Sequence, residues 1–258
     1  MFVLRCTSHR WLKSLASLPS NGGVKQFSNR YLEAGPRPTL EPSLLNGFCY
    51  RLATEEDRPK VKDGLERYFF PEDPFNCSHR DGSAYEIEDM DHYLGMLNNG
   101  IVILALDAKT NQLAGFLGAT FCGPDHLDIL QQRASNASTK KYKDIAHLLA
   151  HLMSQARVFD RFEVDQAYHF QYGAVNPKFR GNTLTSVLMQ KHVQLALSCG
   201  VRVFSADCSG PFAARSCERI GMECVYKLPY TEYRNEQGQQ VFQGRLDYTE
   251  MRSYVLKV

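Results

Sequence analysis

The sequence predicts an α/β (or α+β) fold, a mixed sheet flanked by helices. Three observations carry that expectation. Short apolar runs with strand character alternate with amphipathic stretches. Two of those runs, "GIVILAL" (100–106) and "QLAGFLGATF" (112–121), are joined by the turn "DAKTNQ", which reads as a hairpin. A third, the aromatic "AYHFQYGAV" (167–175), runs through "NPKFRG" into a helical pattern with Leu184, Val187, Leu188 and Leu195 on one side.

The elements follow in order. "FCYRLA" (48–53) reads as a strand. In "TEEDRPKVKDGLERYFF" (54–70), Thr54 is a plausible N-cap with Asp57 three residues on, close to a capping box. The two prolines of "PEDPFN" (71–76) argue against regular helix there. A second helix is expected over 85–98. Residues 125–162 are polar and mostly helical in pattern. "VRVFSAD" (201–207) is a further strand, and 211–220 a short helix ended by Gly221. The last strands lie in 222–230 and 246–258.

Composition excludes several classes. A net charge of +2 gives no field for nucleic acid or an anionic membrane. No apolar run approaches the roughly 20 residues of a membrane span. The eight cysteines, Cys6, Cys49, Cys77, Cys122, Cys199, Cys208, Cys217 and Cys224, form no CxxC pair and no zinc spacing. They read as free thiols in a reducing compartment, and no metal is expected.

The amino terminus differs. Its first 32 residues hold Arg5, Arg10, Lys13, Lys25 and Arg30 and no acid before Glu33, with Leu4, Trp11, Leu15 and Leu18 on one helical face. A mitochondrial transit peptide and a disordered basic tail both fit. The expected organisation is an extension and Pro-rich linker over 1–47, then one domain over 48–258. The protein is expected to be intracellular, mitochondrial if the leader reading holds and otherwise cytoplasmic.

The stretch Ala174–Gln190 is a strand, a turn and a helix start. Free N–H groups and the positive dipole end at such a start suit a pyrophosphate, and Gly181 lets the backbone come close. It is neither a Walker loop nor GxGxxG. An ordinary strand-to-helix turn has the same outline.

Three blocks carry a family resemblance. Arg180-Gly181-Asn182-Thr183-Leu184-Thr185 resembles the acetyl-coenzyme A signature R/Q-x-x-G-x-G/A of the GNAT acetyltransferases, with threonines at 183 and 185 in place of small residues. "FFPEDPFN" (69–76) is similar to the "FF-x-DEPLN" segment of the insect arylalkylamine N-acetyltransferases. "ADCSGPFAARSCERIGMECVYKLPYTEY" (206–233) resembles that family's helix, turn and "Y-x-x-Y" tract.

The resemblance implies a mostly antiparallel GNAT sheet that splays at the strand carrying Tyr172 to Val175. It implies acetyl-CoA as donor, with Val175 holding the pantetheine arm and Arg180, Gly181, Asn182, Thr183, Leu184 and Thr185 forming the phosphate loop. The acceptor would be a small, arylalkyl-type amine, and the protein a monomer. Amine attack on a thioester needs a proton acceptor. The family's glutamate corresponds here to Asp73, with Glu72 beside it. Tyr68, Phe69, Phe70 and Phe75 would line an apolar amine pocket. The family's "C-S-S-H-Y-S-A-R" reads Cys208-Ser209-Gly210-Pro211-Phe212-Ala213-Ala214-Arg215: Ser209 is kept, the second serine is Ala213 and the tyrosine Phe212. The alternative is a relative that keeps the fold and coenzyme A binding but turns over weakly or not at all.

Overall fold

A computed structural model describes residues 38–244 and 247–258. The leader expectation for 1–32 lies outside the described residues. Eight strands make one sheet: β1 (Ser43–Leu45), β2 (Phe48–Leu52), β3 (Ile101–Asp107), β4 (Leu113–Cys122), β5 (Ala167–Val175), β6 (Val203–Cys208), β7 (Glu223–Pro229) and β8 (Glu250–Lys257). Their order is β1-β2-β3-β4-β5-β6-β8-β7. Every pairing is antiparallel except β5 with β6. β1 falls inside the stretch read as linker, where it pairs with β2 around Asn46 and Gly47, both at positive φ.

The helices are α1 (Arg58–Gly64), α2 (Pro74–Ser78), α3 (Ile87–Asn99), α4 (His126–Ser135), α5 (Lys140–Ala156), α6 (Val158–Phe162), α7 (Leu184–Ser198) and α8 (Pro211–Arg219). Both capping-box contacts between Thr54 and Asp57 are present at the first turn. Continuing α1, residues Leu65–Phe69 widen into a π-helical turn. The two prolines of 71–76 do not exclude helix as expected: α2 starts at Pro74. Proline at the first helical position gives up an N–H that has no partner anyway, and Asp73 caps that start.

β3 shows how the layers form. Ile101, Ile103 and Ala105 pack on the face covered by α7, with Leu184, Val187 and Leu188. Val102, Leu104 and Leu106 pack on the other, with Val61 of α1, Leu65 of the π-turn, and Leu94 and Leu97 of α3. The two-residue strand period sends alternate side chains into two cores, so the whole run is apolar. A third core joins α5 to β7 and β8 through Leu148, Leu152, Leu228 and Met251.

The feature that positions the site is a β-bulge. Tyr172 pairs with Gly118 but Phe170 with Ala119, so Gln171 is the extra residue of β5. A bulge bends and twists its strand. β5 pairs with β6 only through Tyr168, His169 and Phe170, and from Gln171 to Val175 its outer edge has no strand neighbour. Buried His192 of α7 ties β4 to β5. Its Nε2 donates to Leu117 O at 2.9 Å and its Nδ1 lies 2.7 Å from Tyr168 OH; burial lowers the ring to about 4, which leaves it neutral with Nδ1 as acceptor.

Among the described residues the seven cysteines are free, and no helix is long and apolar enough to cross a membrane.

Candidate active site

The open edge of β5 leads into the loop singled out from the sequence. Asn176 N–H bonds Ala114 O at 2.9 Å. Antiparallel ladders alternate which residue faces the partner. The N–H and C=O of Val175 therefore point the other way, toward the edge β6 has left. After a short 3-10 turn at Pro177–Phe179, residues Arg180 to Thr183 are exposed. Gly181 has φ +85° and Thr183 φ 56°, both left-handed. In α7 the first intrahelical N–H is that of Val187, bonded to Thr183 O at 3.1 Å. The N–H groups of Leu184, Thr185 and Ser186 are thus left open, as in any first turn. The side chain of Leu184 is buried in the core, so it offers the loop only its backbone. Thr183 Oγ1 donates to Asn182 O at 2.7 Å.

Beside that edge lies a cavity of about 410 Å³. Asp73, Ser209, Phe69 and Phe75 line it. So do residues with no local sequence signal: Asp91, His92 and Tyr93 of α3, Thr120 of β4, His126 and Arg133 of α4, His169 and Gln171 of β5, and Asp207 of β6. The aromatic wall is Phe69, Tyr93 and Tyr172, with centroids 4.6–6.0 Å apart. Tyr172 lies flat on β4 because Gly118 opposite has no side chain; a Cβ there would come within 2.1 Å of the ring. Tyr68 and Phe70 lie off the cavity. Successive residues of a helical turn point in different directions, about 100° apart in an α-helix and less in the wider π-turn. Phe70 accordingly turns into the core and stacks on Tyr85 at 4.1 Å.

Adjacent Glu72 and Asp73 have opposite surroundings. Glu72 is outside the cavity, its side chain 50% exposed, and it takes Arg180 Nη2 at 2.7 and 2.8 Å on its two oxygens. Asp73 is buried, 7% exposed. It accepts from Phe75 N at 3.3 Å, Asn76 N at 3.4 Å and Asn76 Nδ2 at 2.9 Å. Burial lifts its carboxyl to about 6, against the pull of those backbone donors.

The histidines of the cavity are neutral. Arg133 Nη1 meets His92 Nε2 at 3.0 Å. Arginine can only donate, so that nitrogen accepts. Burial, then the Arg133 charge, hold His92 well below its ordinary value. Burial also lowers His169 to about 4 and His126 to about 3. Ser209 sits at the end of β6, where its carbonyl accepts from Tyr230 OH at 2.6 Å. Ala213 of α8 lines the cavity without a hydroxyl. Away from the cavity, His79, Asp81 and Asp144 bring ligand atoms within 4.8 Å of one another. Lys140 Nζ bridges both carboxylates there at 3.0 Å.

The arrangement is a splayed mixed sheet with an open strand edge, a loop of free N–H groups and a cavity holding buried carboxylates. Comparison with protein-family models finds no match. Comparison with solved structures places the fold: it is the GNAT fold of N-acetyltransferases. More narrowly, the chain is similar to insect arylalkylamine and polyamine N-acetyltransferases. A mosquito arylalkylamine N-acetyltransferase-like 5b shares 28% identity, over 82% of this chain and 100% of that one, with a TM-score of 0.78. The Drosophila melanogaster polyamine N-acetyltransferase, which forms N-acetylagmatine, has 22% identity over the same shares and a TM-score of 0.76. Arylalkylamine N-acetyltransferase 2 of Aedes aegypti has 22% identity, over 82% and 99%, and a TM-score of 0.73.

Proposed function

We propose that the protein is an acetyl-CoA-dependent N-acetyltransferase acting on a small primary amine. One observation carries this reading: the free edge of β5 from Gln171 to Val175 runs directly into the exposed Arg180–Thr183 loop, and the cavity with Asp73 opens off that edge. The donor supplies an acetyl thioester. Val175 N–H and C=O are free to pair with the amide-bearing arm. The open N–H groups of Leu184, Thr185 and Ser186, with the dipole of α7 behind them, suit the pyrophosphate, and Arg180, ion-paired with Glu72, stands at the start of that loop. The cavity of about 410 Å³ has room for a small amine. Its Phe69–Tyr93–Tyr172 wall suits an aromatic or alkyl chain, which supports the arylalkylamine class.

Asp73 is the candidate base. At pH 7 a carboxyl lifted to about 6 is mostly ionised. It is also a far better proton acceptor than an ordinary aspartate, since a base works best near the operating pH. Glu72 faces Arg180 and is the lesser candidate. A second reading, a coenzyme A-binding relative with little turnover, is favoured by the three donors already on Asp73 and by Ala213 where the family has serine.

The test is release of free thiol from acetyl-CoA with a panel of arylalkylamines and aliphatic diamines, with calorimetric titration of coenzyme A alongside. Amine-dependent thiol release with matching N-acetyl product supports the first reading. Coenzyme A binding with no thiol release selects the second. No binding rejects both.

A further inference from the structure

The cavity contains a second buried carboxylate, at a distinctive place. The last rung between β5 and β6 is Phe170 with Ala206. Asp207 is the next residue of β6, so it stands in the fork where the strands part, and it lines the same cavity as Asp73. Its orientation is set from two sides. Ser253 Oγ, from β8, donates to Oδ1 at 2.6 Å. His169 Nε2, from β5, lies 3.9 Å from Oδ2. The His169 ring is itself held through Nδ1 by Ser205 Oγ at 2.9 Å. The Asp207 side chain is only 7% exposed, and among the described residues it has no lysine or arginine partner. Meanwhile α8 turns only Ala213 toward the cavity, which has no proton to give a leaving group, and Phe212 is 73% exposed to solvent.

An alkylammonium loses two protons on becoming an amide, and a departing thiolate gains one. We propose that Asp207 is a second catalytic carboxylate, which takes the proton the amine nitrogen sheds as the C–N bond forms and returns it to the sulfur. The inference rests on the acetyltransferase reading. The balance is complete. The nitrogen lone pair makes the C–N bond, and the electron pair of the C–S bond leaves with sulfur. One nitrogen proton passes to Asp73 and on to water. The other passes to Asp207 and then to the thiolate. The products are the N-acetyl amine, the free thiol and one proton released to solvent.

The surroundings of Asp207 suit a carboxylate that must be ionised at rest and protonated in passing. Burial raises it to about 6, while the Ser253 hydrogen bond draws it down. Facing it are neutral His169 from β5, with His126 of α4 behind at 6.1 Å between ring centroids, and Ser253 from β8. Cys208, next along β6, is 3.4 Å from Cys217 of α8, and its thiol is pushed up by that contact and by burial. A thiol ordinarily titrates near about 8.5, so transfer from Asp207 to a thiolate is downhill.

The experiment uses the full chain, with acetyl-CoA and the best amine of the panel. Asp207→Asn keeps the volume and an oxygen for Ser253. It should cut turnover by roughly 10²-fold or more while leaving coenzyme A affinity, by calorimetry, within about twofold. Ser253→Ala removes a donor from the carboxylate, so the acid limb of the turnover profile should move to higher pH with the plateau largely retained. A purely structural Asp207 would leave the turnover per folded molecule of Asp207→Asn unchanged, whatever happens to its melting temperature. That outcome, or an unmoved acid limb in Ser253→Ala, overturns the proposal; the Ser253 variant decides if Asp207→Asn does not fold. An active normal protein with an equally active Asp207→Asn defeats this inference alone. A normal protein that releases no thiol with any amine defeats the acetyltransferase reading, and this inference with it.

Discussion

Replacing Asp73 by asparagine separates its two roles, capping α2 and accepting a proton. Asparagine keeps a side-chain oxygen for the Phe75 and Asn76 N–H groups and fits the same space. What it removes is an ionised carboxylate in a site that is 7% exposed. Its carboxyl is raised from 3.8 to about 6, which corresponds to about 3 kcal/mol of destabilisation once the group is ionised in the folded state. The direction follows from proton binding. The folded state holds the proton more tightly than the unfolded one, so the stability Asp73 contributes is fully present below about 3.8 and is lost as pH rises through about 6. Capping is kept, because asparagine and aspartate cap a helix start about equally well. Asp73→Asn should therefore be as stable as the normal protein near pH 4 and more stable at pH 7.5. The difference between the two proteins should grow by about 3 kcal/mol over that range, or roughly 6–12 °C in melting temperature for a domain of this size. Turnover at pH 7.5 should fall by roughly 10²–10⁴-fold, with coenzyme A affinity unchanged. Melting curves of both proteins from pH 4 to 8, with initial rates of thiol release, measure both effects. A stability difference that does not vary with pH would refute the buried-carboxylate reasoning. Normal turnover in Asp73→Asn would remove Asp73 as the base.

Three further outcomes are expected. Gly181→Asp places a charge and a side chain at a φ of +85° in the candidate phosphate loop; coenzyme A affinity should drop at least tenfold by calorimetry, and unchanged affinity in a folded variant rejects that placement. Gly118→Ala would set a methyl 2.1 Å from the Tyr172 ring, and overpacking of this kind costs about 1–3 kcal/mol; a denaturant midpoint equal to that of the normal protein would show that the ring is free to move. A fusion of residues 1–42 to a fluorescent reporter should enter mitochondria if the basic, acid-poor leader is a transit peptide, and a diffuse cytosolic reporter rules that out.

Local chemistry determined much of this protein. The alternation in "GIVILAL" specifies a strand buried on both faces, Thr54 and Asp57 specify a helix start, and Gly221 at φ +89° ends α8. The Arg180-Gly181 turn into α7 was likewise legible, because strand, turn and helix signals are set by neighbours along the chain. Asp73 could be singled out only through the family resemblance of its segment. Nothing local separates it from Glu72, and tertiary packing sends one into a cavity and the other onto Arg180. The same holds for Tyr68, Phe69 and Phe70, of which one faces the cavity. Asp207, His169 and His126 carried no sequence signal at all, since they come from β6, β5 and α4 and meet only in the folded chain, around one cavity. Burial and proton affinity belong to that assembled space: a carboxylate titrates near 6 here because distant segments exclude water from it, and no neighbour in the chain encodes that exclusion.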